Sequence, residues 1–136
     1  MDSKDKKKLL EEAEHIAIVG LSDKPYRTSY QIGEALIQAG YKITPVNPHV
    51  KEVFGVKSVD SIKDLGEDVD IINVFRRSEY IYELAEQAVK TNIPAFWAQL
   101  GVYDAKAEQL LKEKGKQVVM NSCIKVDHAL LVDKNR

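Results

Sequence analysis

Gly20, Ser22, Lys24, Arg27 and Ser29 fall within ten positions and offer a glycine backbone, two hydroxyls and two cations. That set suits phosphate oxygens, which accept several hydrogen bonds and are neutralised by lysine and arginine. Asp23 is the one anion in the segment and is expected to point outward. The plainer alternative for Lys24 and Arg27 is a solvated loop. Ile16-Ala17-Ile18-Val19 before Gly20 is a short apolar run, the mark of a buried strand. Thr28 or Ser29 can cap a helix after the turn. A strand, a turn and a helix in that order present free backbone N–H groups to an anion. A nucleotide-like ligand is the expectation from this segment.

The turn excludes two familiar phosphate loops. No Gly-Lys-Ser or Gly-Lys-Thr follows at P-loop spacing, so the nucleoside triphosphate cradle and its Mg²⁺ ligand are missing. Gly20 is followed by Leu21-Ser22-Asp23 rather than by the further glycines of the dinucleotide fingerprint. The next strand ends in Val46-Asn47-Pro48, with no acid to hold a ribose hydroxyl. An NAD(P)-binding regulator therefore stands only as an alternative.

Apolar runs and helical patterns alternate along the chain. After a leading helix around Ser3–Glu14, strands are expected at about Ile16–Gly20, Lys42–Val46, Asp70–Phe75, Ala95–Gln99 and Gln117–Asn121. Helices are expected at Ser29–Ala39, Glu79–Lys90 and Ala105–Lys114, with a short helix or turn near Val126–Leu131. Gly40 and Gly115 stop two of these helices and Asp104 caps one. Val53–Ser58 reads as a short extended piece, and Ser61–Leu65 as a turn of helix. Five strands alternating with helices predict a single-domain α/β fold, a doubly wound parallel sheet of the Rossmann-like kind. One domain is expected over 1–136, with its core at about 14–132.

In such sheets the ligand lies beyond the carboxyl ends of the strands. The residues there are Gly20 to Lys24, Asn47-Pro48-His49, Phe75-Arg76-Arg77-Ser78, Gln99-Leu100-Gly101 and Asn121-Ser122-Cys123. Every strand is expected to end in polar or cationic groups on this one edge. Phe75 could stack on an adenine or pack in the core.

A net charge of −1 gives no basic field for nucleic acid or a lipid surface. Lys4, Lys6, Lys7 and Lys8 alternate with Asp2 and Asp5 and read as a solvated helix start. The single cysteine, Cys123, leaves no internal disulfide and fits a reducing compartment. No apolar stretch has the length of a membrane span or a signal peptide, so the expected location is the cytoplasm.

Six ordered segments are Ile-Val-Gly-Leu-Ser-Asp-Lys-Pro (18–25), Arg-Thr-Ser (27–29), Pro-Val-Asn-Pro (45–48), Asn-Val-Phe-Arg-Arg (73–77), Trp-Ala-Gln-Leu-Gly (97–101) and Asn-Ser-Cys-Ile-Lys-Val-Asp-His (121–128). Together they resemble the small bacterial and archaeal CoA-binding proteins, whose domain is similar to that of the succinyl-CoA synthetase alpha subunit. The resemblance covers about 14–132. It implies a Rossmann-like domain that binds coenzyme A, free or acylated, across the strand ends. Gly20, Ser22, Lys24, Arg27 and Ser29 would then hold phosphates or the ribose 3′-phosphate. Asn47 and Pro48 would line the nucleotide side, Phe75 and Arg76 would flank the ligand, and Gln99 and Gly101 would lie close by. In the synthetases a separate domain carries the phosphorylated histidine, so binding without ligation is expected of this chain.

Cys123 lies on the same edge, where its thiol could form a mixed disulfide with CoA or accept an acyl group. The plainer reading is a packed, small apolar residue. Asp127 and His128 are helix neighbours that point apart, and no His, Cys, Asp or Glu set has metal-ligand spacing. The expectation is a carrier, sensor or regulator of CoA with no catalytic residues and no metal. A CoA-thioester enzyme using Cys123 is the enzymatic alternative. A protein partner or a homo-oligomer is left open.

Overall fold

The computed structural model describes residues 1–132. The helices are α1 (Ser3–Glu12), α2 (Thr28–Gln38), α3 (Ile81–Ala88), α4 (Ala105–Glu113) and α5 (Ile124–Leu131). The strands are β1 (His15–Val19), β2 (Lys42–Val46), β3 (Glu52–Val53), β4 (Val56–Lys57), β5 (Ile71–Val74), β6 (Ala95–Ala98) and β7 (Gln117–Val119). Five strands form one parallel sheet in the order β2-β1-β5-β6-β7, and β3 with β4 make a small antiparallel hairpin.

Alternate residues of β1 serve two cores. Ile16 and Ile18 join Leu10, Ile32, Leu36 and Ile124, from α1, α2 and the start of α5. Ala17 and Val19 join Ile81, Ala85, Ala107 and Leu111, from α3 and α4. Every residue of β1 is buried, which explains its near-continuous apolar sequence. The doubly wound α/β fold is thus as expected, with boundaries displaced by at most two residues. The first strand opens at His15, one residue early, because His15 is buried rather than part of a turn. Helix α2 opens at Thr28 with Arg27 at its cap position and no side-chain cap. Ser29 is unavailable as a cap because its hydroxyl accepts the Ser22 N–H at 3.0 Å. Asp104 does cap α4, accepting the Ala107 N–H at 2.8 Å.

His15 lies between the Asp68 carboxylate (3.1 Å from Nδ1) and the Thr44 hydroxyl (2.6 Å from Nε2). The hydrogen bond to His15 holds the Asp68 carboxyl below its ordinary value of 3.8, and Lys42, 3.5 Å away, acts in the same direction. A carboxyl with a lowered folded-state pKa stabilises the fold above its unfolded pKa and loses that contribution as pH falls through the folded value. We expect Asp68→Asn to melt below the wild type at neutral pH. The gap should close as pH drops below 3.8. Melting curves of both proteins against pH would check this, and a gap that widened on acidification would contradict the assignment.

Candidate functional site

The chain leaves β1 through α2 to β2 on one side, and returns to place β5 on the other side of β1. That reversal makes the carboxyl ends of β1 and β5 the switch point, where a doubly wound sheet opens a crevice. Gly20 ends β1 with φ +83°, and a Cβ there would lie 2.5 Å from the Phe75 carbonyl oxygen. Only a residue without a side chain lets the two strand ends approach this closely. The Arg76 stem runs alongside, its Cδ 3.6 Å from the same point.

Two cavities flank the Phe75–Arg76 segment, and both residues line both. The smaller, about 410 Å³, is walled by Gly20, Asn47, Pro48, Asp60 and Glu83 among others. Asn47 is fixed there: its Nδ2 donates to the Leu21 carbonyl at 3.1 Å and its Oδ1 accepts the His49 N–H at 2.9 Å. Acceptors and carboxylates on this side suit the hydroxyls and amino group of a nucleoside. The Arg76 guanidinium lies over the Tyr80 ring at 4.6 Å, which orients its fork at the junction of the two cavities.

The larger cavity, about 680 Å³, is lined by Thr28, Ile32, Gln99, Gly101, Val102 and Cys123 as well. Helices α2 and α5 both start here without a side-chain cap, with Thr28 and Cys123 in the wall. Their first-turn N–H groups favour negative charge. Asn121 (φ +56°) accepts the Gly101 N–H at 2.7 Å, and the Tyr103 N–H donates to the Ser78 hydroxyl at 3.1 Å. These two bonds tie the loop after β6 to its neighbours on both sides. Beneath them lies a buried amide pair, in which Gln99 Nε2 donates to Asn73 Oδ1 at 2.5 Å.

Of the residues expected at the site, Gly20, Asn47, Pro48, Phe75, Arg76, Gln99, Gly101 and Cys123 come together in these walls. Ser22, Lys24 and Arg27 occupy the adjoining loop and Ser29 the first turn of α2, and none of them lines either cavity. Ser29 is buried and Ser22 accepts the Lys24 N–H at 3.0 Å, so both hydroxyls shape the loop. Lys24 and Arg27 are exposed, with Arg27 at 5.8 Å from the Tyr26 ring. Sequence reasoning passed over Asn73 as a site residue. An asparagine in a strand buried on both faces was the signal. Asp127 pairs with Lys6 at 3.3 Å and His128 meets the Tyr41 ring edge-on at 5.5 Å, so the two neighbours do diverge. A wider hollow of about 950 Å³, walled by Glu14, Gly40, Tyr41 and Lys42, sits at the opposite, amino-terminal edge. The strand-end cavities outweigh it as a ligand site, because this sheet type opens its crevice at the carboxyl edge. Among the described residues no helix is long and apolar enough to cross a membrane.

Residues 14–129 match the model of the CoA binding domain. The chain is 50% identical over 124 residues to a Bacillus subtilis protein, YneT, spanning 91% of this chain and 92% of the relative. It is 28% identical to the alpha subunit of an ADP-forming acetate–CoA ligase (II) of Pyrococcus furiosus, over 80% of this chain but only 26% of that subunit. A solved structure from Thermus thermophilus superposes with a TM-score of 0.91 at 32% identity, over 96% of this chain and 99% of that one.

Proposed function

This chain belongs to the CoA binding domain family, and on that premise we propose that it binds coenzyme A or an acyl-CoA across the carboxyl edge of its sheet. The observation that carries the reading is convergence. Gly20, Asn47, Arg76 and Gln99, which follow β1, β2, β5 and β6, meet Cys123, at the start of α5, in two adjoining cavities. The nucleoside occupies the smaller, polar cavity beside Asn47 and Pro48. The diphosphate lies at Arg76, with the exposed cations Lys24 and Arg27 of the adjoining loop completing the phosphate contacts. The pantetheine arm extends through the larger, more apolar cavity past Phe75 and Gly101 toward Gln99 and Cys123.

The protein serves as a carrier, sensor or regulator of CoA in the reducing cytoplasm, without a chemical step of its own. Cys123 in the cavity wall favours one second reading, a thioester enzyme that passes an acyl group through its thiol. Thiol release from saturating acetyl-CoA separates the two. The carrier reading expects release no faster than in buffer. A faster rate that vanishes in Cys123→Ser would replace it with the enzyme.

A further inference from the structure

Asn73 is fully buried, and its Nδ2 has no hydrogen-bond partner among the described residues. The orientation that strands it follows from its neighbours. The Ile124 N–H, at the start of α5, donates to Gln99 Oε1 at 3.4 Å. Gln99 must therefore turn Nε2 toward Asn73, and Asn73 must answer with Oδ1 at 2.5 Å. Flipping either amide would set two donors or two acceptors face to face. Gln99 is 4% exposed and lines the larger cavity, and Phe75, two residues along the strand from Asn73, lines it too. Asn73 lines neither cavity, so a ligand does not reach its Nδ2; the donor in the wall is Gln99 Nε2, which gives one of its two hydrogens to Asn73. Buried polar groups in native proteins are almost always paired, so the second hydrogen of Gln99 Nε2, beside a ligand cavity, points to an acceptor that arrives with the ligand.

We propose that Gln99, held by Asn73, is the donor floor of a carbonyl subsite that reads the arm of the bound cofactor. The inference rests on the CoA-binding reading and adds its selectivity. The chemistry required is an uncharged hydrogen-bond acceptor in an apolar slot: a carbonyl oxygen. Two parts of the ligand can supply it, the thioester carbonyl of an acyl-CoA or an amide carbonyl of pantetheine. Gln99 is the residue that touches the oxygen. Asn73 is a positioning residue, acting through Gln99.

The test compares acetyl-CoA, S-ethyl-CoA (a thioether without the carbonyl) and CoA, titrated into wild type, Gln99→Met and Asn73→Leu. If the thioester supplies the oxygen, wild type prefers acetyl-CoA to S-ethyl-CoA about tenfold, the size of one hydrogen bond to a buried donor. The preference falls to about one in both variants. If a pantetheine amide supplies it, all three ligands weaken together by about tenfold in Gln99→Met. Loss of stability alone cannot move the acetyl-to-ethyl ratio, which makes it the readout for Asn73. Unchanged affinities and ratios in Gln99→Met, measured beside tight CoA binding, would overturn the subsite and leave the CoA reading standing. Failure of all three ligands to bind wild type would overturn both.

Discussion

Gly20→Ala is expected to lower the melting temperature by about 10 °C, a drop equivalent to about 3 kcal/mol in a domain of this size. Two costs add at this position. A side chain at φ +83° pays the left-handed backbone penalty, about 1–2 kcal/mol. Its Cβ also meets the Phe75 carbonyl oxygen at 2.5 Å, so the ends of β1 and β5 must part. Gly115→Ala supplies the comparison, because its φ is +78° and nothing lies within 4 Å of the added carbon. It should pay the backbone penalty alone. Parting the strand ends displaces Arg76 as well, so CoA affinity should fall more than tenfold in Gly20→Ala and stay near wild type in Gly115→Ala. Equal effects of the two substitutions would show that the close approach at the switch point carries no weight.

Arg76→Ala is the second large effect, a loss of about 10- to 100-fold in CoA affinity with little change in melting temperature. The side chain is exposed, so the fold gains little from it. It faces both cavities, and its guanidinium is already oriented over Tyr80. A charge-assisted bond from a pre-organised fork to phosphate is worth about 1.5–3 kcal/mol, which is that range of affinity. Arg76→Lys should fall between, since it keeps the charge but loses the planar fork. The loss should shrink as salt is raised, because part of it is screened. An affinity unchanged by Arg76→Ala would move the phosphates away from the junction, onto the Lys24 and Arg27 loop.

The sequence made the sheet legible because buried parallel strands are nearly continuous apolar runs, and Ile16–Val19 and Ile71–Phe75 are two of them. It made the candidate edge legible because glycine, asparagine and arginine recur just after those runs. Helix starts were less legible. Thr28 and Ser29 both look like caps, and only the packed loop shows the Ser29 hydroxyl turned back to the Ser22 N–H. The division of the edge into two cavities was hidden for a similar reason. It depends on where the Phe75–Arg76 segment runs between loops distant in sequence. Asn73 was overlooked because periodicity weighs a residue by its neighbours, and its neighbours Ile72 and Val74 are core.

Binding of coenzyme A in this strand-end crevice is open to direct measurement. Calorimetric titration of purified, ligand-stripped protein with CoA, and separately with NAD, tests it most directly. CoA should saturate one site, and NAD should give neither heat nor thermal stabilisation. CoA that gave no heat at several temperatures and no thermal stabilisation would contradict it.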